Sequence, residues 1–266
     1  MSEYSFIIHE IKGYISSLFL IETNGKFLLL DAGCSCDFKK VKSFLEERGK
    51  SLNDLKLVVV THMHPDHAGA VKYFKKNNIP IASTEGAYRW YRGLGGFIQH
   101  KIDTFLAQFS ARRKKNILEP VNYKRKFIPD YLLKDGDTLP FFPDWKVVFT
   151  PGHTLYDISL FNEKGKVFYL ADLILKMGDK YVLPFPIIFP DLMKKSLDRI
   201  KEYNFDTLLL AHGGLLKERG LSQNFSKVID SLKETIGKID KIEFKIFYPF
   251  CLFVHDKWVC KIKQCR

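Results

Sequence analysis

A chain of 266 residues, 46% of them hydrophobic and 27% charged, can bury a large core, which excludes an extensively disordered or low-complexity protein. The formal net charge of +12 excludes an acidic binding module and leaves anionic partners open. No apolar run reaches the roughly 18 to 20 residues of a membrane span, and Glu3, His9 and Glu10 stand where a signal peptide would be apolar, so a cytoplasmic protein with no membrane partner is expected.

In chain order, apolar clusters at 18–21 and 27–30 flank Asn24-Gly25, a strong hairpin signal. Phe38, Val41, Phe44 and Leu45 recur at helical spacing, and Gly49 stands where that helix would end. Four short apolar strands then each run into a metal-ligating residue type. Residues 55–61 deliver His62, and 145–150 lead through Pro151-Gly152 to His153. Residues 167–171 deliver Asp172, and 207–211 deliver His212. Strand ends hold polar groups at fixed separations and leave them open to substrate, so these four are expected at one sheet edge.

Helices are predicted over 66–76, 191–203 and 221–239, the last with Phe225, Val228, Ile229, Leu232 and Ile236 on one face. Residues 85–130 hold ten Lys/Arg against four Asp/Glu. Within them an amphipathic run over 95–115 carries Phe97, Ile98, Ile102, Phe105, Leu106 and Phe109, followed by the basic Arg112 to Lys115. Residues 1–266 are read as one domain, with 85–130 inserted as a basic, partly helical lid whose apolar stripe faces the site. Residues 240–266 are expected to form an edge strand or the contact of a homodimer. The five cysteines, at 34, 36, 251, 260 and 265, are read as reduced thiols, Cys34 being structural.

The densest chemical signal is His62-Met63-His64-Pro65-Asp66-His67, three of the eight histidines and a carboxylate within one short segment. Imidazole and carboxylate together suit zinc, iron or manganese. Four ligands are too few for two ions, and His153, Asp172 and His212 bring the set to seven.

These motifs, with Pro151-Gly152-His153-Thr154, Ala171-Asp172, Ala211-His212-Gly213 and the early Leu28-Leu29-Leu30-Asp31-Ala32-Gly33, resemble the metallo-β-lactamase superfamily over residues 6–235. The resemblance implies an α/β fold, a four-layer αββα sandwich, here with a helical insertion. It implies two divalent ions, Zn2+ first, with Fe or Mn as alternatives. One would be held by His62, His64 and His153, the other by Asp66, His67 and His212, with Asp172 bridging; Asp31 would orient a ligand histidine from behind. The implied activity is hydrolysis of an ester, thioester or lactone of a small anionic substrate by a hydroxide between the metals. Asp66 would be the catalytic residue that orients it, and Tyr156, Arg112 and Arg113 would contact substrate. A phosphodiesterase acting on RNA or DNA is the alternative, resting on Arg112 to Lys115 and on Lys124-Arg125-Lys126 between Tyr123 and Phe127; a non-catalytic metal-binding scaffold is the second. Flavodiiron proteins of this superfamily carry glutamate at the position of His64, and its quorum-quenching lactonases carry tyrosine at the position of Leu175.

Overall fold

The computed structural model describes residues 6–114 and 118–239. Two six-stranded sheets face each other. The first comprises β1 (Ile7–Lys12), β2 (Ser17–Thr23), β3 (Lys26–Leu30), β4 (Leu55–Val60), β5 (Ile81–Ser83) and β6 (Tyr131–Leu132), hydrogen-bonded in that order. It is antiparallel from β1 to β3 and parallel from β3 to β6. The second contains β7 (Thr138–Leu139), β8 (Phe142–Phe149), β9 (Ile158–Asn162), β10 (Val167–Ala171), β13 (Thr207–Leu210) and β14 (Gly214–Lys217). Its order is β14-β13-β10-β9-β8-β7, with only the β10–β13 pair parallel. A short hairpin of β11 (Leu175–Met177) and β12 (Lys180–Val182) stands apart. Asn24 and Gly25, both at positive φ, make the turn between β2 and β3.

Three apolar layers account for the sandwich. Phe19, Ile21, Leu28, Leu30, Leu57 and Val59 from the first sheet meet Trp145, Val147, Leu160, Tyr169 and Leu209 from the second. On the outer side of the first sheet, α1 (Asp37–Glu46) and α3 (Val71–Lys76) bury Val41, Leu45, Val71 and Phe74 against Leu20, Leu29, Val58 and Val60. On the outer side of the second, α6 (Pro190–Ile200) and α7 (Leu221–Ile239) bury Met193, Leu197, Phe225 and Ile229 against Phe168, Leu208 and Leu210. Strands buried on both faces explain why 27–30, 57–60 and 207–210 read as unbroken apolar runs rather than alternating ones. This is the four-layer αββα sandwich that the sequence implies.

The expected helix over 66–76 is in fact two, α2 (Pro65–Ala68) and α3, interrupted at Gly69 and Ala70. A Cβ on Gly69 would lie 2.8 Å from the Gly33 carbonyl oxygen and from Cys34 Cα. The break thus lets this segment pack on the 31–34 loop, where Ala32 N donates to His67 O at 2.8 Å and Ala70 N to Gly33 O at 3.1 Å. Residues 84–130 carry α4 (Gly86–Arg89) and the long α5 (Gly93–Lys114). No helix among the described residues is long and apolar enough to cross a membrane. The tail over 240–266, expected to form an edge strand or a dimer contact, lies outside the described residues, as do Cys251, Cys260 and Cys265.

Candidate metal centre

The four strand ends meet at one rim. His62 lies just past β4, Asp172 directly follows β10, His153 follows β8 through its Pro-Gly turn, and His212 lies just past β13. Pro65 opens α2, where a fixed φ suits the first helical turn, and so sets Asp66 and His67 side by side. Asp157 shapes the His153 turn by accepting from Thr154 N at 2.6 Å and from the Thr154 hydroxyl. Two non-glycine residues at left-handed φ flank the centre: Asp31 at 63° and Ala171 at 48°. The latter coincides with a register shift between β10 and β13 that turns Asp172 out of the ladder.

The seven residues converge as two groups. His62, His64, His153 and Asp172 form one, and Asp66, His67 and His212 the other; within each group one ligand atom per residue lies within 4.8 Å of the rest. His64 Nδ1 is 3.1 Å from His62 Nε2 and 2.8 Å from His153 Nε2. Asp172 faces both groups with separate oxygens: Oδ2 is 3.8 Å from His62 Nε2 and 3.7 Å from His153 Nε2, whereas Oδ1 is 3.2 Å from His67 Nε2 and 3.3 Å from His212 Nε2. Asp66 Oδ2 lies 3.1 Å from His212 Nε2.

Outer contacts fix which ring nitrogen carries the hydrogen. His153 Nδ1 must donate to the Pro186 carbonyl at 2.7 Å, so its Nε2 presents a lone pair. His67 Nδ1 donates to Asp31 Oδ2 at 2.7 Å, so the neutral ring, the form that binds a metal, has its lone pair on Nε2. The Thr61 hydroxyl lies 2.9 Å from Asp31 Oδ2, to which it donates, and therefore accepts from His62 Nδ1 at 3.1 Å. Lone pairs on His62 and His153 thus converge on His64 Nδ1, where a hydrogen could serve one of them fully and a cation between the rings would serve all three. His67 Nε2 and Asp172 Oδ1 are buried and, although 3.2 Å apart, make no well-aligned hydrogen bond. Convergent imidazole lone pairs, carboxylate oxygens and orphaned buried atoms fit divalent metal ions.

The electrostatics divide the same way. Burial, then the neighbouring His67 and His64, hold His62 well below the usual imidazole range. Burial and His153 bring His64 down to about 3. For His67 and His212 burial acts in the same sense but is outweighed by carboxylates, chiefly Asp172, which hold His67 well up and His212 up at about 9. Asp172 is itself held well below the carboxylate range, because His67 and His212 outweigh its burial.

A cleft of about 260 Å³ opens onto the two groups. Its far wall is apolar, with Ile15, Leu106, Ala107, Leu175, Pro184 and Phe185, and among the described residues no lysine or arginine lines it. Arg112 is exposed and does not reach the cleft, and the Arg113 side chain lies outside the described set. Tyr156 is buried in the core beside Trp90, its Cβ only 2.6 Å from where a Cβ on Gly86 would stand, so it faces away from substrate. Of the three expected substrate contacts, Arg112 and Tyr156 therefore do not line the cleft, and Arg113 is left open. Of the two aromatics interleaved with Lys124-Arg125-Lys126, Tyr123 is buried with its hydroxyl 2.7 Å from the Met63 carbonyl, and Phe127 is half-buried against the core.

The sequence reading missed Asp103. From the middle of α5 it is buried with Oδ2 3.6 Å from His64 Nε2, the ring nitrogen that points away from the convergence. Tyr91 donates to it at 2.7 Å, and Tyr123 lies 2.9 Å from Tyr91. Burial pushes its carboxyl up to about 7. Four of the six residues of the expected apolar stripe point the other way: Phe97, Ile98, Phe105 and Phe109 are exposed, while Leu106 lines the cleft and Gln99, His100 and Asp103 are buried. Three polar residues at i, i+1 and i+4, opposite the phenylalanines, were the available signal.

The family model described as Metallo-beta-lactamase superfamily matches residues 11–212. The chain is 24% identical over 184 residues to a probable metallo-hydrolase, YflN, of Bacillus subtilis, covering 65% of this chain and 67% of that one. It is 26% identical over 167 residues to an N-acyl homoserine lactonase of Bacillus thuringiensis, covering 61% of this chain and 56% of the lactonase, so it spans little more than half of that relative. The crystal structure of a metallo-beta-lactamase family protein from Thermus thermophilus superposes with a TM-score of 0.64 at 18% identity, covering 97% of this chain and 94% of that one. Sandwich, motifs and profile agree, and the chain belongs to the metallo-beta-lactamase superfamily.

Proposed function

We propose that this superfamily hydrolase cleaves a carboxylic ester, thioester or lactone carrying an apolar group, at a pair of zinc ions. The observation that supports the reading is the pairing of a seven-ligand centre with a cleft whose opposite wall is apolar and free of cations. When bound, divalent ions lower the pKa of water toward about 7 and polarise a carbonyl oxygen. His62, His64 and His153 would hold one ion, Asp66, His67 and His212 the other, with Asp172 between them. Asp66 would orient the attacking water and hold its proton, being an ionised carboxylate at the cleft floor beside His212. Leu106, Leu175 and Phe185 would take the apolar part of the substrate and exclude bulk water.

A cleft that no lysine or arginine lines among the described residues disfavours the anionic substrate expected from the sequence, and buried Tyr123 disfavours nucleic acid. The similarity to a lactonase puts a lactone first among the substrates to try. The test is metal analysis of protein purified without chelator, followed by a panel of acyl esters, acyl thioesters, acyl lactones and a bis-aryl phosphodiester. Close to two zinc ions per chain and turnover rising with acyl length are expected. Turnover of the phosphodiester alone would overturn the reading, and so would protein that neither carries nor takes up metal.

A further inference from the structure

Among the described residues no cation of the basic stretch over 85–130 lines the metal cleft, yet the fold gathers four of them elsewhere. Arg89, Arg92, Arg125 and Lys126 line a second pocket of about 260 Å³, together with Tyr91 and Gly93, and none of its lining residues belongs to the cleft. Two separate segments build it, the run from α4 into α5 and the stretch 125–126. They are tied at two points: Phe127 N donates to the Ala87 carbonyl at 3.0 Å, and Arg125 Nη1 to the Gly93 carbonyl, also at 3.0 Å. Phe127 is itself packed against the core, so the pocket is anchored to the fold. Opposing charge is scarce there. Arg89 Nε pairs with Glu85 Oε2 at 3.0 Å, whereas Arg92, Arg125 and Lys126 make no ion pair among the described residues.

Three uncompensated cations around one small pocket repel one another, modestly because Arg92 and Lys126 reach solvent, and together they attract an anion that enters between them. The guanidinium fork matches the paired oxygens of a phosphate, and three positive charges call for two or more negative ones in a compact group. A single carboxylate supplies one. A polynucleotide spreads its charges along an extended backbone, which a pocket of this size does not follow. We infer that this pocket binds the diphosphate or triphosphate group of a small molecule, at a site separate from the metal cleft. Tyr91, which lines the pocket, donates at 2.7 Å to Asp103, which lines the cleft beside His64, so one hydrogen-bonded pair links the two sites. The binding stands whichever bond is cleaved at the metals.

The test is protection of individual arginines from phenylglyoxal by inorganic pyrophosphate, on the metal-loaded full chain, with the modified peptides quantified by mass spectrometry. Pyrophosphate should slow modification of Arg92 at least about fivefold and leave the exposed Arg219 unchanged. The half-protecting concentration should rise at least about tenfold in Lys126→Glu. It should stay within about threefold of wild type in Lys126→Arg, which keeps the charge, and in Lys227→Glu, which makes the same change on α7; all three variants alter exposed side chains. Pyrophosphate also meets metal ions, so the experiment is repeated on protein stripped by chelator, where protection of Arg92 should persist. Absence of protection overturns the proposal, as do equal protection of Arg219 and equal effects of Lys126→Glu and Lys227→Glu. Protection that disappears with the metals places the anion at the metal centre and overturns it. A single-stranded oligonucleotide that protects Arg92 at lower phosphate concentration than pyrophosphate assigns the pocket to nucleic acid and also overturns it.

Discussion

Replacing Asp31 by Asn separates the charge behind the metal centre from the backbone that holds it. Asp31 is buried at 1% exposure and accepts from Thr61 N at 2.8 Å and from the Thr61 hydroxyl, and on Oδ2 from His67 Nδ1 at 2.7 Å and Tyr169 at 2.5 Å. Asparagine tolerates the left-handed φ of 63° at this position, so the backbone adds no penalty. The amide offers one acceptor oxygen, and whichever way it is turned one or two of these donors lose their acceptor. At about 1–3 kcal/mol for each orphaned buried group, the loss is roughly 1–6 kcal/mol, a large share of a typical stability. If the amide N–H faces His67 Nδ1, the ring must move its hydrogen to Nε2, the nitrogen that faces Asp172 and Asp66. Metal affinity should then fall about 10- to 100-fold at the group of Asp66, His67 and His212, and much less at the other. Chelator competition resolved into two steps, with urea unfolding alongside, reads both effects. Two ions bound as in wild type together with an unchanged unfolding midpoint would refute the reasoning.

Asp66→Ala should lower turnover by at least about two decades, since it removes both a ligand and the water's orienting carboxylate; unchanged turnover with full metal content contradicts that role. Asp103→Asn should weaken binding at the His64 group with little change at the other, measured by the same chelator competition, because it removes the carboxylate behind His64 Nε2. Equal weakening at both groups would instead indicate general loosening of α5. A proton balance should also distinguish the groups. His212, held at about 9 against an unfolded value of about 6.5, adds stability to the metal-free fold that is complete below pH 6.5 and lost as the pH rises through 9. A metal there must displace that proton, so uptake at pH 7 releases it and tightens with rising pH, whereas His62 and His64 are already neutral. Calorimetry in two buffers of different ionisation enthalpy should show buffer dependence for only one of the two binding steps.

The seven-residue cluster was legible because its histidines and carboxylates stand directly after apolar strand runs, and the two sheets bring those strand ends together. The strands of both sheets that are buried on two faces read clearly as apolar runs. Others did not. β6 and β7 are two residues each, too short for any periodicity, and β1 has only Ile11 buried, so its pattern is faint. The break between α2 and α3 depends on how closely Gly69 meets Gly33, a contact between distant parts of the chain that no local pattern records. Tyr156 likewise stands next to a metal motif in sequence but turns into the core, because Gly86 leaves room for its ring there.

Helix α5 shows where periodicity stops being informative. The 3.6-residue repeat gives the existence of an apolar stripe and its angular position, but its direction depends on which face forms the better contacts with the rest of the molecule. Normally the apolar face prevails, because burying it removes the most surface from water. Here the polar face has specific partners. Asp103 stands at His64 and accepts from Tyr91, Tyr91 and Tyr123 lie within hydrogen-bonding distance, and the His100 ring packs 4.5 Å from Tyr123. Each of these polar groups would be orphaned if the helix turned over, at about 1–3 kcal/mol apiece. The phenylalanines would in turn have to enter a rim already filled by ligand side chains. The polar contacts therefore set the rotation of α5 and leave Leu94, Phe97 and Phe105 at the surface.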